Sequence, residues 1–426
     1  MSAPLPLSEQ ERQPKVKELP IFAVFAFVAF LATLVALIPT QRYTTSLFEL
    51  SNWVGPATKS LLENGSLQVM PGMSGARMPM ASLYVAGAYL VMGDHITWVV
   101  GFKALLLLAC LCLIVRKFSV HMPKSGPRAW WCLVLLLSPM VCTATLANLV
   151  NLQVEEGYAL VPFTALCAHL FRPRPVHGDS VAGAGSAIAT GCLMSLLLLT
   201  KSAYLPLCMV LLVGYFWLGA TRAHVAIMAA LLGVTMLAWA SYQWSSSGRF
   251  TIGTSVDGLN FYKGNNPQFL ERYPPVPGTT LDQYDEEILA QFPSENEWAR
   301  NDDFKHAAIQ YIVTHPVETV IGVARKFYYS AVALQKYGSS ASGKWQERLE
   351  FLGLLITRAL FFGALLVALR DVWQRSAHSR HGWLFLAIVG ATLLPYLAGF
   401  AYTRHVGILI FPCALFLAGR LAESTQ

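Results

Sequence analysis

Glu49 is the lone acid between Leu19 and Leu62, and it lies just past the first long apolar run. A carboxylate at a water–membrane boundary can take a proton from an acceptor hydroxyl. The same residue can also be a solvated loop glutamate. Five further places put charge or amide groups at similar boundaries, where ionisable groups are costly and are candidates for function. Arg77 stands before Pro79, a residue suited to the first turn of a helix. Its guanidinium fits a phosphate or a lipid head group equally well. Glu155 and Glu156 sit in a short connection, where they can hold a sugar hydroxyl, a metal ion or a basic partner, or form a solvated hairpin tip.

Lys201 closes one apolar run in Leu199-Thr200-Lys201 and Arg404 opens another. An ammonium or a bidentate guanidinium there can neutralise phosphate. For Lys201 the plainer role is snorkelling to head groups. The run Asn260-Phe261-Tyr262-Lys263-Gly264-Asn265-Asn266-Pro267 combines aromatics, a cation, amides and turn residues. It suits a sugar or pyrophosphate contact, and it also suits an ordinary turn. Lys103 and Arg358 lie deeper in apolar sequence, where pairing with carboxylates would account for them. A boundary carboxylate next to cations suggests chemistry on a lipid-linked phosphate. No P-loop, GxGxxG, HExxH, CxxC pair or GxSxG motif occurs, so nucleotide-dependent and zinc chemistries lack sequence support.

These residues need a membrane scaffold. The chain is 55% hydrophobic and 13% charged, against roughly 25% charged in a soluble domain. The eight cysteines all fall in apolar segments, which argues against a disulfide framework or a cysteine metal site. About 18 polar residues precede the first apolar run, so the N-terminus does not read as a cleavable signal. Runs long enough to cross a bilayer predict about ten helical spans: Leu19–Ile38, Ile96–Ile114, Ala129–Leu149, Tyr158–Phe171, Gly185–Thr200, Ala203–Gly219, Val225–Trp244, Phe351–Leu369, Trp383–Phe400 and Val406–Ala418. The Met80–Met92 run is too short to span and reads as an interfacial helix.

With a cytosolic N-terminus, the inner segments hold fourteen Lys and Arg against six acids, and the short outer connections hold only Lys201 and Arg404 as cations. This distribution obeys the positive-inside rule and places both termini in the cytosol. It also explains the net charge of +7 as topology, with no call for a nucleic-acid partner. The expected organisation is a cytosolic tail (1–18), a transmembrane core (19–244) with a first outer loop (39–95), a large outer loop (245–350), and C-terminal transmembrane helices (351–426). Within the large loop, apolar residues from Ala307 to Phe327 recur at helical spacing, interrupted at His315-Pro316, and predict amphipathic helices lying on the membrane.

Taken in order, these positions resemble the GT-C superfamily of polyprenyl-phosphate-sugar glycosyltransferases, in particular protein mannosyltransferases and lipid A aminoarabinose transferases. Glu49, Ala57, Leu61-Leu62, Gly65, Arg77, Pro79 and Met92-Gly93 follow the family's first outer loop. Glu49 stands where that family usually has a catalytic Asp. Lys103 resembles the basic residue opening the second span, and Glu155 or Glu156 resembles the family's glutamate in the next outer connection. Lys201 resembles the basic residue of its Thr-Lys-Gly-Pro segment, with Ser202-Ala203 replacing Gly-Pro. The Tyr262-Lys263-Gly264-Asn265-Asn266-Pro267 run, His315-Pro316 with Lys326, and Arg404-His405 with Pro412 are similar to later motifs.

The resemblance implies an all-α polytopic enzyme of the bacterial inner membrane with its site on the periplasmic side. It implies transfer of a sugar from a polyprenyl-phosphate carrier to a hydroxyl on a protein, lipid or cell-envelope glycan. Glu49 would be the base, Arg77, Lys201, Lys263 and Arg404 would bind the donor phosphate, and Glu155, Glu156, Tyr262, Asn265 and Asn266 would bind substrate. No cofactor is implied, and the need for a divalent metal is left open. The alternatives are an O-antigen polymerase or ligase, whose central loop normally dominates, and a lipid-linked-sugar flippase, which would favour inverted repeats and mid-membrane charge.

Overall fold

Apolar helices built on the predicted runs dominate the computed structural model. It describes residues 20–37, 53–70, 72–142, 155–173, 184–274, 280–294, 296–334, 344–376 and 378–423, together with 149 and 152. Glu49 lies outside the described residues. Among those described, the chain is helical apart from connections and one isolated bridge between Met70 and Met73. Five helices are long and apolar enough to cross a membrane: Ile96–Ser119, Arg222–Ser247, Phe351–Trp373, Ser379–Ala398 and Arg404–Glu423. Shorter apolar helices include Ile21–Thr33, Ala184–Thr200 and Ser202–Trp217. Leu90, Trp98, Val234, Leu366 and Leu394 are exposed on apolar helices, an arrangement suited to lipid rather than water as solvent.

Six elements position the groups of interest. They are α1 (Met80–Met92), α2 (Glu155–Phe171), α3 (Ala184–Thr200), α4 (Asp257–Lys263), α5 (Pro316–Phe327) and α6 (Ser379–Ala398). The first matches its predicted bounds. α2 begins three residues before the predicted Tyr158, so Glu155 and Glu156 form its first turn instead of a hairpin tip. A first-turn position sets carboxylates at the positive end of the helix dipole.

The predicted Ala129–Leu149 span is not one α-helix. The α-helix runs Gly126–Leu137 and gives way to a 3₁₀ turn at Ser138–Val141. Pro139 is the reason, since it has no N–H to continue the ladder. The Ser138 hydroxyl donates instead to Leu135 O at 2.7 Å.

A single large core runs through the apolar helices, from Phe25 to Phe416. The central segment has its own aromatic core of Tyr262, Phe269, Tyr273, Tyr284 and Phe304, closed by Phe400 from the end of α6. Its amphipathic helix α5 buries Gly322 and Lys326 while Val317, Val320 and Ile321 face outward.

Candidate functional site

Four stretches far apart in sequence meet at one end of the helix bundle. The turn before α1 supplies Arg77, the start of α2 supplies Glu155 and Glu156, and the end of α3 supplies Lys201. The segment after α6 adds Arg404 and His405. Arg77 Nη1 lies 3.1 Å from Glu155 Oε1. Lys201 Nζ bridges the acids, at 2.9 Å from Glu155 Oε2 and 3.1 Å from Glu156 Oε1. Arg404 Nε stands 4.0 Å from Glu156 Oε2. His405 Nδ1 accepts from the Tyr402 amide at 3.0 Å, which puts its proton on Nε2, 3.4 Å from Glu156 Oε1. With that neutral imidazole, three cations face two carboxylates, and the cluster carries an excess positive charge.

Burial grades across the cluster. The Glu156 side chain is 1% exposed, whereas Arg77 and Arg404 are 32% and 42% exposed. The acids therefore form the floor and the two guanidinium groups reach toward the surface. Burial by itself would raise the Glu156 carboxyl, but the Lys201 ammonium and then the Arg404 guanidinium outweigh it and hold its pKa at about 2. Burial would likewise raise Glu155, and the charges of Lys201 and Arg77 bring it below its ordinary value. For Lys201, burial would lower the pKa, and the two glutamates raise it instead. All three are thus ionised across the physiological range.

Aromatic faces back the cations. Arg77 sits 5.4 Å from the centroid of Trp53, Lys201 5.1 Å from Tyr396 and Arg404 4.9 Å from Tyr402. Tyr396 also stacks on the His405 ring at 3.7 Å. Beside Arg77 and Glu155 lies a small cleft, lined further by Trp53, Val54, Ala81 and Ser82.

The turn carrying Arg77 is held from the central segment. The Glu297 carboxylate accepts from the Ser74 and Gly75 amides at 3.1 Å and from the Ser255 hydroxyl at 2.6 Å. Gly75 is required there: a Cβ would lie 2.5 Å from the Trp298 ring. Ser202, next to Lys201, donates to both Asp257 oxygens at 3.3 Å. Glu297, Asp257 and Tyr396 were not among the residues expected from sequence, and His405 entered only as part of the Arg404-His405 motif, with no role of its own. Asp257 and Glu297 have a local signal, the Thr254-x-x-Asp257 and Ser294-x-x-Glu297 spacings typical of a helix start.

The remaining expected residues gather apart from this cluster. Lys263 Nζ pairs with Asp285 Oδ1 at 2.5 Å. Asn265 Nδ2 donates to Ala398 O at 2.7 Å, and Asn266 Nδ2 to Tyr262 O and the Tyr284 hydroxyl, each at 2.7 Å. The Tyr262 hydroxyl meets Gln291 Oε1 at 3.1 Å. These amides tie the central segment together and fasten it to the end of α6. Among the described residues no three His, Cys, Asp or Glu side chains group as a metal site would need. No protein-family model, curated protein or solved structure matches the chain.

Proposed function

We propose that this chain is a membrane glycosyltransferase that moves a sugar, with inversion, from a polyprenyl-phosphate carrier to a hydroxyl acceptor. The observation that carries the reading is the convergence of Arg77, Lys201 and Arg404 around the buried Glu156 and the partly buried Glu155, beside a small cleft at one end of an apolar helix bundle. A net positive, preorganised cluster at a membrane edge is what a leaving lipid phosphate requires, because its charge grows as the sugar departs. Arg77 and Arg404, on the exposed side, would meet the phosphate. Lys201, held between the acids, would supply field from beneath. Glu155 and Glu156 would keep the cations in place before the donor arrives. Glu49 would accept the acceptor's proton as its oxygen attacks the anomeric carbon and the phosphate leaves.

The finer layout belongs to the same proposal. It comprises about ten spans, cytosolic termini, and a site facing the periplasm of a bacterial inner membrane. Interfacial helices at Met80–Met92 and in the central segment would flank the site.

The decisive assay incubates membranes containing the protein with a panel of radiolabelled polyprenyl-phosphate sugars and an endogenous envelope extract. Label should pass from one carrier into a polar acceptor. Glu49→Gln should abolish that transfer and Glu49→Asp should retain part of it. Wild-type-like transfer by well-folded Glu49→Gln would remove Glu49 as the base. Movement of carrier across proteoliposomes without transfer would favour a flippase instead.

A further inference from the structure

Lys326 is a lysine buried where no ion pair accounts for it. It lies on α5, whose opposite face carries the exposed Val317 and Val320, and it is 0% exposed. Among the described residues no carboxylate stands within ion-pair distance of it. Its Nζ donates to Gly399 O at 2.9 Å and Gly264 O at 3.2 Å, and lies 5.2 Å from the Phe269 ring centroid. Both carbonyls belong to residues just past a helix end, Gly264 after α4 and Gly399 after α6, where intrahelical donors run out. The backbones approach so closely that a Cβ on Gly264 would fall 1.7 Å from Gly399 O.

Lys326 is one of three side chains from the central segment that grip the same stretch. Asn265 Nδ2 donates to Ala398 O at 2.7 Å and the Tyr273 hydroxyl to Ala401 O at 2.8 Å. Carbonyls 398, 399 and 401 are thus all held from the central segment. Immediately beyond them come Tyr402, whose amide donates to His405, and then Arg404 and His405, which reach Glu156. A leucine or methionine would fill the space at lower desolvation cost, but it would leave two buried carbonyls without a donor.

We propose that Lys326 is a positioning residue: it clamps the end of α4 to the end of α6 and so sets where Arg404 and His405 stand against the glutamates. The membrane-facing helix α5 is thereby joined to the ion cluster through one amine. Burial lowers that amine to a pKa of about 7. The clamp survives deprotonation, because a neutral amine keeps two N–H donors for two carbonyls.

The test compares Lys326→Met, which keeps an unbranched apolar arm and loses the donors, with Lys326→Gln, which keeps two N–H donors, both arms being one atom shorter than lysine's. Hydrogen exchange on the intact protein in nanodiscs reads the clamp directly. In Lys326→Met, amides of 398–405 should exchange about tenfold faster, the equivalent of one net hydrogen bond, while Ile96–Ser119 and Arg222–Ser247 stay unchanged. Lys326→Gln should fall between. The kinetic arm rests on the proposed transfer reaction: donor KM should rise about tenfold in Lys326→Met with kcat much less affected, as expected when a binding group is misplaced. Unchanged exchange at 398–405 would overturn the clamp. So would uniformly faster exchange in every helix, which marks a general structural role. Absence of transfer by wild-type protein would sink the proposed function while the exchange result still decides Lys326.

Discussion

At the scale of residues, Lys201 carries the largest share of the site's electrostatics, because it alone touches both glutamates. Lys201→Met would leave two acids facing each other with one cation each at their outer edges. The expected cost is about 2–3 kcal/mol, below that of a wholly buried pair because Lys201 keeps some exposure. Thermal unfolding in detergent would measure it, and Lys201→Arg should recover most of the loss. Acid should act through Glu156. Its folded pKa of about 2 lies below the ordinary 4.5, so the folded state binds fewer protons than the unfolded chain between those values. Its stabilising contribution is present above pH 4.5 and drains away as pH falls toward 2. Glu156→Gln should flatten that part of the stability–pH curve, and an unchanged slope would assign the acid sensitivity elsewhere.

The charges themselves were legible in the sequence, since Arg77, Glu155, Glu156, Lys201 and Arg404 each stand out against apolar surroundings. Their pairing was not. Arg77 and Glu155 are separated by 78 positions, and no local pattern encodes a contact of that range. His405 was hidden for a different reason. Beside an arginine it looks like part of a basic edge, and only the Tyr402 amide on its Nδ1 shows that it acts as a neutral donor.

Between elements, the chain relies on carboxylates and amides where loops must meet. Glu297 joins the turn bearing Arg77 to the central segment through two backbone amides and one hydroxyl. Glu297→Ala would strand those donors and should destabilise by about 2 kcal/mol, and it should also loosen Arg77. Limited proteolysis around residue 75 gives the second readout, with faster cleavage in the variant than in wild type. Helix existence was readable from apolar runs, and Met80–Met92 from its length. The break at Pro139 was equally present in the sequence, because a proline ends a helix wherever the fold lacks a compensating partner. The start of α2 was harder to place. Two glutamates left a basic partner, a ligand and a solvated tip equally open until Lys201 is known to bridge them.

For the whole molecule, exposure is inverted relative to a soluble protein: apolar helices present Leu, Val and Trp outward while Glu156, Lys263 and Lys326 lie inside. The topology argued from Lys and Arg predicts a sidedness that can be measured. An impermeant maleimide on intact cells or spheroplasts should label cysteines introduced at Asn64 and Arg272, but not at Lys124 or Arg375, in a background lacking the reactive native cysteines. The reverse pattern would invert the protein and move the ion cluster to the cytosolic face.

The membrane class, the apolar helices and the identity of the rare charged residues followed from composition and periodicity, because lipid solvation imposes strong one-dimensional rules on a chain. The tertiary structure decided which charges meet. Glu155 and Glu156 became the floor of one cluster with Arg77, Lys201, Arg404 and His405, whereas Lys263, Asn265 and Asn266 became fastenings of a separate segment. Partner choice among buried polar groups depends on packing that brings distant segments within three ångströms, and spacing along the chain does not carry that information.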